Sequence, residues 1–317
     1  MADNVVAILG TRYQDFSIEE QVLAPLGVSL VHGDGGSGDS IVEQSAGAAV
    51  ILAGSRPHFN AAVLERLSCR GIVRYGVGTD SIDVEAARRR GIVVARVPDY
   101  GTEAVAFHAV SMALAQLRRL PEADRAIRAG SWGFAALRPM HEPSRLTAGV
   151  VGYGRIGRRA TAHLQNLGMQ VCAHDPFVQI PDSPRVRAVD LADLLRASDV
   201  VLLHAPGSPD GRPLLDAAAL RQMRTGSVLV NTARGSLVDL PALVEGLRQG
   251  RPGRAALDVY PAEPVDVSVF GDVADRILLT PHMAWYTEES ETDLRHKAAA
   301  EAARLLRGEP LADPVVE

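Results

Sequence analysis

Polar side chains that could carry out acid–base chemistry follow four apolar segments of this 317-residue chain. The clusters are His204-Ala205-Pro206, Asn231-Thr232-Ala233-Arg234-Gly235, Asp258 with Glu263-Pro264, and Pro281-His282. Each is also ordinary loop composition, but the carboxyl ends of parallel strands meet at one edge of a sheet, where ligands bind. An arginine, a glutamate and a histidine at that edge would supply a guanidinium for a 2-oxo acid, a carboxylate and a proton donor. The strand-end Pro-His pair makes His282 the preferred catalytic histidine.

A glycine-rich turn predicts a cofactor site. The run Val150–Gly157 is an apolar strand that enters a G-x-G-x-x-G turn before a helical segment. In such turns Gly152 permits the tight bend, Gly154 lets the backbone approach a pyrophosphate, and Gly157 packs helix on strand. A further strand ends at Asp175, whose carboxylate can bind an adenosine ribose and repel a 2′-phosphate, which favours NAD over NADP. The alternatives are a glycine-rich turn without a ligand and an ordinary Asp-Pro turn.

A second anion site is predicted where another apolar segment ends. Its residues are Arg74, Tyr75, Gly76, Val77 and Gly78. The glycines can expose consecutive backbone N–H groups to a carboxylate, and the arginine adds positive charge. A glycine-rich turn before the next helix is an equal alternative.

Composition excludes several classes of function. The formal charge of -5, without a basic run, argues against a nucleic-acid partner. The two cysteines, Cys69 and Cys172, form neither a disulfide framework nor a metal-ligand pattern, so we expect no metal and a reducing cytoplasmic environment. Neither a basic, apolar leader nor about eighteen consecutive apolar residues occur, so we expect no membrane partner.

The order of apolar and helical segments predicts an α/β fold with two domains. Residues 1–98 should form a flavodoxin-like substrate domain, completed by the C-terminal segment 284–317, and residues 99–283 a Rossmann NAD-binding domain. The predicted strands of the latter are the glycine-run strand, Met169–Ala173, Val200–His204, Ser227–Asn231, Arg254–Asp258 and Ile277–Thr280, six in parallel.

Helical segments should join these domains. A mostly apolar helix is predicted over Glu103–Leu120, stopped by Pro121 and buried between domains or subunits. Residues 121–146, with Trp132, are expected to form either a dimer arm or a surface loop. A final amphipathic helix is predicted over residues 283–308.

These motifs resemble, over nearly the full length, the D-isomer-specific 2-hydroxyacid dehydrogenase family. The matching motifs are Val151–Gly157, Asn231–Asp239, Ala256–Tyr260 with Glu263-Pro264, and Thr280-Pro281-His282. Within the family the chain is similar to the C-terminal binding proteins, which are NAD-sensing corepressors, and to the phosphoglycerate dehydrogenase-like branch. One departure is Phe107, where many members carry a glutamate before His108.

The resemblance implies specific roles. Arg234 would bind the substrate carboxylate and polarise its carbonyl, His282 would be the acid–base group, and Glu263 would hydrogen-bond His282. The implied cofactor-binding residues are Gly152, Gly154, Arg155, Ile156, Gly157, Asp175, His204, Ala205, Pro206, Thr232, Ala233, Asp258 and Thr102. The implied substrate-binding residues are Arg74, Tyr75, Gly76, Val77, Gly78 and Trp285. Trp285 is predicted on the opening turn of the final helix, either as a pocket wall or as packing for the helix.

The predicted function is NAD-dependent D-2-hydroxyacid dehydrogenase or 2-oxoacid reductase, acting as a homodimer on a small 2-oxo or 2-hydroxy acid. The alternative is an NAD(H)-sensing binding protein of the C-terminal binding protein type with vestigial catalysis. The fold does not identify the substrate.

Overall fold

The chain divides into two compact units. The computed structural model describes residues 4–181, 183–208 and 210–316, so the first three residues and the last residue of the predicted substrate domain lie outside it. Unit 1 runs up to Gly101 and resumes at Thr287, and unit 2 spans Thr102–Tyr286. Both junctions fall three residues beyond those suggested by the sequence.

Short strands and helices alternate along most of the chain. The strands are β1 (Val5–Leu9), β2 (Ser29–Gly33), β3 (Val50–Ala53), β4 (Gly71–Arg74), β5 (Val93–Arg96), β6 (Thr147–Val151), β7 (Gln170–His174), β8 (Val186–Ala188), β9 (Val200–Leu203), β10 (Val228–Asn231), β11 (Arg254–Leu257), β12 (Ile277–Leu279) and β13 (Pro314–Val316). The helices are α1 (Ser17–Leu23), α2 (Gly38–Gln44), α3 (Ala61–Leu64), α4 (Val84–Arg89), α5 (Thr102–Leu117), α6 (Leu120–Arg128), α7 (Arg155–Asn166), α8 (Leu191–Ala197), α9 (Ala217–Gln222), α10 (Leu240–Gln249) and α11 (Glu288–Arg307).

The sheet of unit 1 has the strand order β13-β5-β4-β3-β1-β2. Strands β1 to β5 are parallel, and β13 joins β5 antiparallel. The order 2-1-3-4-5 of the parallel strands is the flavodoxin-like arrangement, as predicted. Loops that follow β1, β3 and β4 therefore leave one edge side by side.

The sheet of unit 2 has the strand order β12-β11-β10-β9-β6-β7-β8, with every pairing parallel. Counted from β6, this begins with the order 3-2-1-4-5-6 of a Rossmann fold, as predicted. Successive residues alternate between two cores: Val201 and Leu203 pack on one face, Val200 and Leu202 on the other.

The prediction of six strands in this sheet was wrong, because β8 is a seventh. Strand β8 has only three residues, and two of them, Arg187 and Ala188, are exposed. A short edge strand lacks the apolar run by which the buried strands were predicted.

The apolar helix predicted over Glu103–Leu120 ends earlier than expected. Helix α5 stops at Leu117, and Arg119 adopts a left-handed conformation with φ 53°. Pro121 lies in the first turn of α6, where its missing N–H costs no intrahelical bond. Helix α5 packs on α7, β10 and β11 of its own unit.

The final helix begins later than predicted. Helix α11 starts at Glu288 because Thr287 and Ser290 form a capping box. Trp285 therefore lies in the turn before the helix and not on its opening turn. Among the helices of the described ranges, none is both long and apolar enough to cross a membrane.

Candidate active site

The glycine turn after β6 is tightly packed on two sides. Gly152 has φ 90°, and a Cβ there would lie 2.6 Å from the backbone of His204 and Ala205. A Cβ on Gly157 would lie 2.0 Å from the carbonyl oxygen of Gly152. Both positions therefore require glycine, one for the turn and one for the close approach of α7 to the strand.

Open space remains where a pyrophosphate would lie. A Cβ on Gly154, the N-cap of α7, would meet no atom within 4 Å. The first turn of α7 contains Arg155 and Ile156 and no acidic residue. Because the N–H groups of a first helical turn lack intrahelical acceptors and carry partial positive charge, this end of α7 fits an anion.

Asp175 follows β7 and is partly buried beside the turn. Its Oδ2 accepts from the Tyr153 N–H at 2.7 Å, and its Oδ1 accepts from the N–H groups of Phe177 and Val178. A carboxylate has about four acceptor positions, so Oδ2 retains one for a ribose hydroxyl. The carboxylate is thus held in place by the backbone and remains able to bind a ribose.

Buried polar atoms without partners lie in the loops after β9 and β10. Both ring nitrogens of His204 and the hydroxyl oxygen of Thr232 are buried with no hydrogen bond in the described part of the chain. Burial lowers the pKa of His204 to about 4, so the ring is neutral at pH 7. Buried polar groups are normally paired, so these atoms are suited to a bound ligand. Together with the glycine turn, they fit a dinucleotide.

Arg234 lies in a loop that is held at both ends. The Asn231 side-chain amide donates to the Arg234 carbonyl at 2.8 Å and accepts from the Ala233 N–H at 3.1 Å. A Cβ on Gly235 would lie 2.0 Å from the carbonyl carbon of Tyr260, so this glycine packs directly on the loop after β11. The guanidinium of Arg234 donates to the Ala233 carbonyl and is only partly buried.

His282 and Glu263 form the predicted pair. Nδ1 of His282 lies 2.8 Å from Oε2 of Glu263, and Oε1 of Glu263 accepts from the Tyr260 N–H at 3.1 Å. Both side chains are part exposed, at 46% for His282 and 37% for Glu263. A carboxylate only accepts, so Nδ1 carries the hydrogen and Nε2 is left for a substrate.

The turn that carries His282 is strained and is held by hydrogen bonds to Asp258. His282 has φ 53°, which is uncommon for a residue with a side chain. The buried carboxylate of Asp258 accepts from the N–H groups of Met283 and Ala284 at 2.9 Å each, and its main-chain carbonyl accepts from the His282 N–H. These bonds hold the strained conformation.

A hydroxyl and a second histidine complete this network. Thr280 donates to Asp258 at 2.6 Å and lies 3.3 Å from Nε2 of His108. We gave Thr280 and His108 no role from the sequence, although Thr280 precedes Pro281-His282 at the same strand end. The position of Thr280 was the available signal, whereas His108, 172 residues away, gave none.

Trp285 is attached to the same turn. Its indole N–H donates to the His282 carbonyl at 3.1 Å, and its ring meets Tyr286 edge-on at 5.7 Å. The indole therefore supports the His282 turn, and a pocket-wall role remains a prediction. Ala205 and Pro206 follow β9 beside the glycine turn, and Thr102 begins α5.

The predicted carboxylate segment belongs to unit 1, at the carboxyl end of β4. Gly76 has φ 138°, its N–H donates to the Arg74 carbonyl, and its own carbonyl accepts from Val97. The Arg74 guanidinium donates to the Tyr75 carbonyl. Among the backbone bonds of the described residues, none uses the N–H groups of Val77 or Gly78, as an anion site requires.

Comparison with known proteins identifies the family to which the chain is similar. Residues 110–284 match the model of the D-isomer specific 2-hydroxyacid dehydrogenase, NAD binding domain. The chain is 37% identical over 254 residues to the (S)-sulfolactate dehydrogenase of Chromohalobacter salexigens, covering 79% of this chain and 82% of that one. It is 36% identical over 246 residues to the D-3-phosphoglycerate dehydrogenase of Archaeoglobus fulgidus, covering 77% of this chain and 46% of that one.

Solved structures agree over the whole chain. A glyoxylate reductase from Paecilomyes thermophila superimposes with a TM-score of 0.88 at 28% identity, covering 99% of both chains. The D-lactate dehydrogenase of Escherichia coli superimposes with a TM-score of 0.83 at 30% identity, covering 98% of this chain and all of that one. The chain spans about half the length of the phosphoglycerate dehydrogenases it matches.

The chain therefore belongs to the D-isomer-specific 2-hydroxyacid dehydrogenase family. Unit 2 contains the NAD binding domain of that family, and NAD is its cofactor. Among the described residues, no group of three histidine, cysteine or acidic side chains could hold a metal ion.

Proposed function

We propose that the protein is an NAD-dependent D-2-hydroxyacid dehydrogenase that interconverts a 2-hydroxy acid and a 2-oxo acid. The observation that carries this proposal is the His282–Glu263 pair, 2.8 Å apart, in the unit that carries the NAD turn and Arg234. The NAD binding domain of the family and the dehydrogenase relatives support it.

The residues of unit 2 divide the chemistry between them. When bound, NAD would supply the hydride acceptor for the oxidation and NADH the hydride donor to the carbonyl carbon for the reduction. In the reduction, Nε2 of His282 gives its proton to the carbonyl oxygen as negative charge develops there. Glu263 accepts from Nδ1 and so holds the ring with Nε2 available to the substrate. The planar guanidinium of Arg234 pairs with the substrate carboxylate and polarises the carbonyl.

The residues that we propose to bind the cofactor lie in the same unit. Gly154, Arg155 and Ile156 would receive the pyrophosphate at the start of α7, and Asp175 the ribose hydroxyls. The small residues after β9 and β10 would approach the cofactor closely, with Thr232 using its unpaired hydroxyl. Asp258, whose Oδ2 has one acceptor position left, would take the nicotinamide amide.

The test is turnover of a panel of 2-oxo acids with NADH, followed at the NADH absorbance. We expect activity with at least one of glyoxylate, pyruvate, hydroxypyruvate, 3-phosphohydroxypyruvate and 3-sulfopyruvate, and its loss in His282→Ala. NADH binding without turnover of any acid would instead support the NAD-sensing alternative.

We further propose that the preferred substrate carries a second anionic group. Relatives named for phosphoglycerate and sulfolactate act on acids of this kind. In unit 1, the loops after β1 and β3 are in contact, since a Cβ on Gly54 would lie 2.1 Å from the carbonyl oxygen of Gly10. Arg12 and Arg56 follow these two glycines, both exposed, and no described residue forms an ion pair with either. Two available guanidinium groups at one sheet edge suit a phosphate or sulfonate.

This preference is tested with Arg56→Ala. We expect the variant to raise KM for 3-phosphohydroxypyruvate or 3-sulfopyruvate at least about tenfold, because one charge-assisted contact is lost, while KM for pyruvate stays within twofold. Arg89→Ala, which removes an exposed guanidinium from α4, is the matched control and should change neither value. An equal effect on pyruvate would contradict the anion preference.

We also propose a homodimer in the cytoplasm. Trp132 and Phe134 are 93% and 60% exposed, respectively, in the segment predicted as a dimer arm. Large apolar side chains left in water suit contact with a second copy. Trp132→Asp should shift the mass measured by light scattering from dimer to monomer. A variant that remains dimeric would show that the two copies meet through a different surface. Cys69 and Cys172 are buried and form no disulfide, which suits a reducing compartment.

A further inference from the structure

A buried ion pair in unit 1 lies directly behind the carboxylate segment. We infer that Glu19 and Arg295, acting through the hydroxyl of Tyr75, position the backbone of Gly76–Gly78 for the substrate carboxylate. This inference rests on the proposed function, and it assigns positioning roles to Glu19 and Arg295, two residues for which the sequence predicted none.

The contacts of the pair are direct and short. Glu19, on α1, is fully buried, and Arg295, on α11, is 7% exposed. The Arg295 guanidinium donates from Nη2 to Oε2 of Glu19 at 2.6 Å and from Nε to Oε1 at 3.0 Å, a bidentate arrangement. Its Nη2 also donates to the main-chain carbonyl of Asp15 at 2.6 Å. The pair thus joins α1 and α11, 276 residues apart in the chain.

Tyr75 links this pair to the segment after β4. Its hydroxyl donates to Oε1 of Glu19 at 2.9 Å, and the ring is only 5% exposed. Burial, and then the charge of Glu19, raise the pKa of Tyr75 well above its usual value, so the phenol remains a donor. The ring of Tyr13 belongs to the same cluster. Its centroid lies 4.6 Å from Cζ of Arg295 and 5.5 Å from the centroid of the Tyr75 ring, which it meets edge to face.

The fixed side chain of Tyr75 determines where the next backbone groups point. Its main-chain N–H donates to the Ala53 carbonyl at 2.9 Å, and its carbonyl accepts from Arg74. With side chain and both main-chain groups held, the peptide entering Gly76 has little freedom left. The N–H groups of Val77 and Gly78 follow at once, and these are the donors proposed for the carboxylate.

A buried bidentate pair is a costly way to obtain stability alone, because both charges lose their hydration. Its geometry is nevertheless rigid, and rigid supports are what precise binding groups require. The hydrogen bond from the Tyr75 hydroxyl to Glu19 separates a positioning role from a purely stabilising one, because it joins the pair to the segment that would bind the carboxylate.

The test is Tyr75→Phe, which removes one hydroxyl and keeps the ring in the core. We expect KM to rise about tenfold, equivalent to about one lost hydrogen bond to a charged group, for every 2-oxo acid that the wild type reduces. The effect should be equal for small and large acids, because all of them share the carboxylate. The value of kcat should stay within twofold, and the Kd of NADH should not change.

Tyr13→Phe is the matched control, since Tyr13 contributes its ring to the same cluster and, among the described residues, its hydroxyl makes no hydrogen bond to Glu19. We expect wild-type KM from this variant. A Tyr75→Phe protein with a lowered melting temperature and wild-type KM would overturn the inference and leave the proposed function standing. A wild type that reduces no 2-oxo acid would overturn the proposed function, and the inference with it.

Discussion

Replacement of His204 by phenylalanine should remove a pH-dependent part of the stability of unit 2. The ring nitrogens of His204 are buried and make no hydrogen bond with any described residue, so a phenyl ring leaves no polar partner unsatisfied. Any change in packing shifts stability by a constant amount, which does not depend on pH. The pH dependence therefore isolates protonation of the histidine.

The sign and size follow from the pKa values of the two states. Burial lowers the pKa of His204 from 6.5 to about 4 in the folded protein. Between these values the unfolded chain binds the proton and the folded protein does not, so stability is complete above pH 6.5 and is lost as pH falls toward 4. Between pH 7.5 and pH 5 the loss attributable to His204 is about 2 kcal/mol.

Denaturant unfolding at a series of pH values measures this difference. The two tryptophans, Trp132 and Trp285, both lie in unit 2, so tryptophan fluorescence reports on that unit. The free energy of unfolding of the wild type should fall by about 2 kcal/mol more than that of His204→Phe between pH 7.5 and pH 5. His141→Phe, at an exposed site in the same unit, should retain the wild-type pH dependence. Parallel curves for the wild type and His204→Phe would refute the assignment of a buried, neutral ring.

Three further predictions concern the site in unit 2. Asp175→Ala should reduce a strong preference for NADH over NADPH, measured as the ratio of kcat/KM, and equal efficiency with both cofactors in the wild type would remove the role given to Asp175. Arg234→Lys should lower kcat/KM at least about a hundredfold with little change in NADH binding, because the planar fork is lost; wild-type efficiency with every active acid would contradict this. Trp285→Ala should selectively weaken bulky 2-oxo acids if the ring forms a pocket wall, by about 1 kcal/mol, whereas a uniform loss with a lowered melting temperature would show that the indole only supports the His282 turn.

Motifs with local geometry were readable from the sequence. The turn at Gly152 and Gly157 needs glycine for reasons of backbone conformation and close packing, and these needs act over a few residues. The strand-end rule likewise led to Glu263 and His282, because parallel strands place their carboxyl ends together whatever the loop lengths between them. The α/β fold class was predicted from the alternation of apolar and helical segments along the chain.

Features that the apolar pattern does not record were not readable. Helix ends were misplaced at Arg119 and Thr287, where a left-handed residue and a capping box outweighed the apolar pattern. Strand β8 was missed because its pairing with β7, and not its composition, makes it a strand.

The sequence by itself determined the candidates for NAD binding and for proton transfer, since residue type and short spacing define that chemistry. Only the tertiary structure decided what holds those residues in place. Asp258 anchors the strained His282 turn together with Thr280, and Glu19 meets Arg295 behind Tyr75. Such buried polar contacts join segments far apart in the chain, and they form because each group loses water on burial and must find a partner wherever the packed fold brings one.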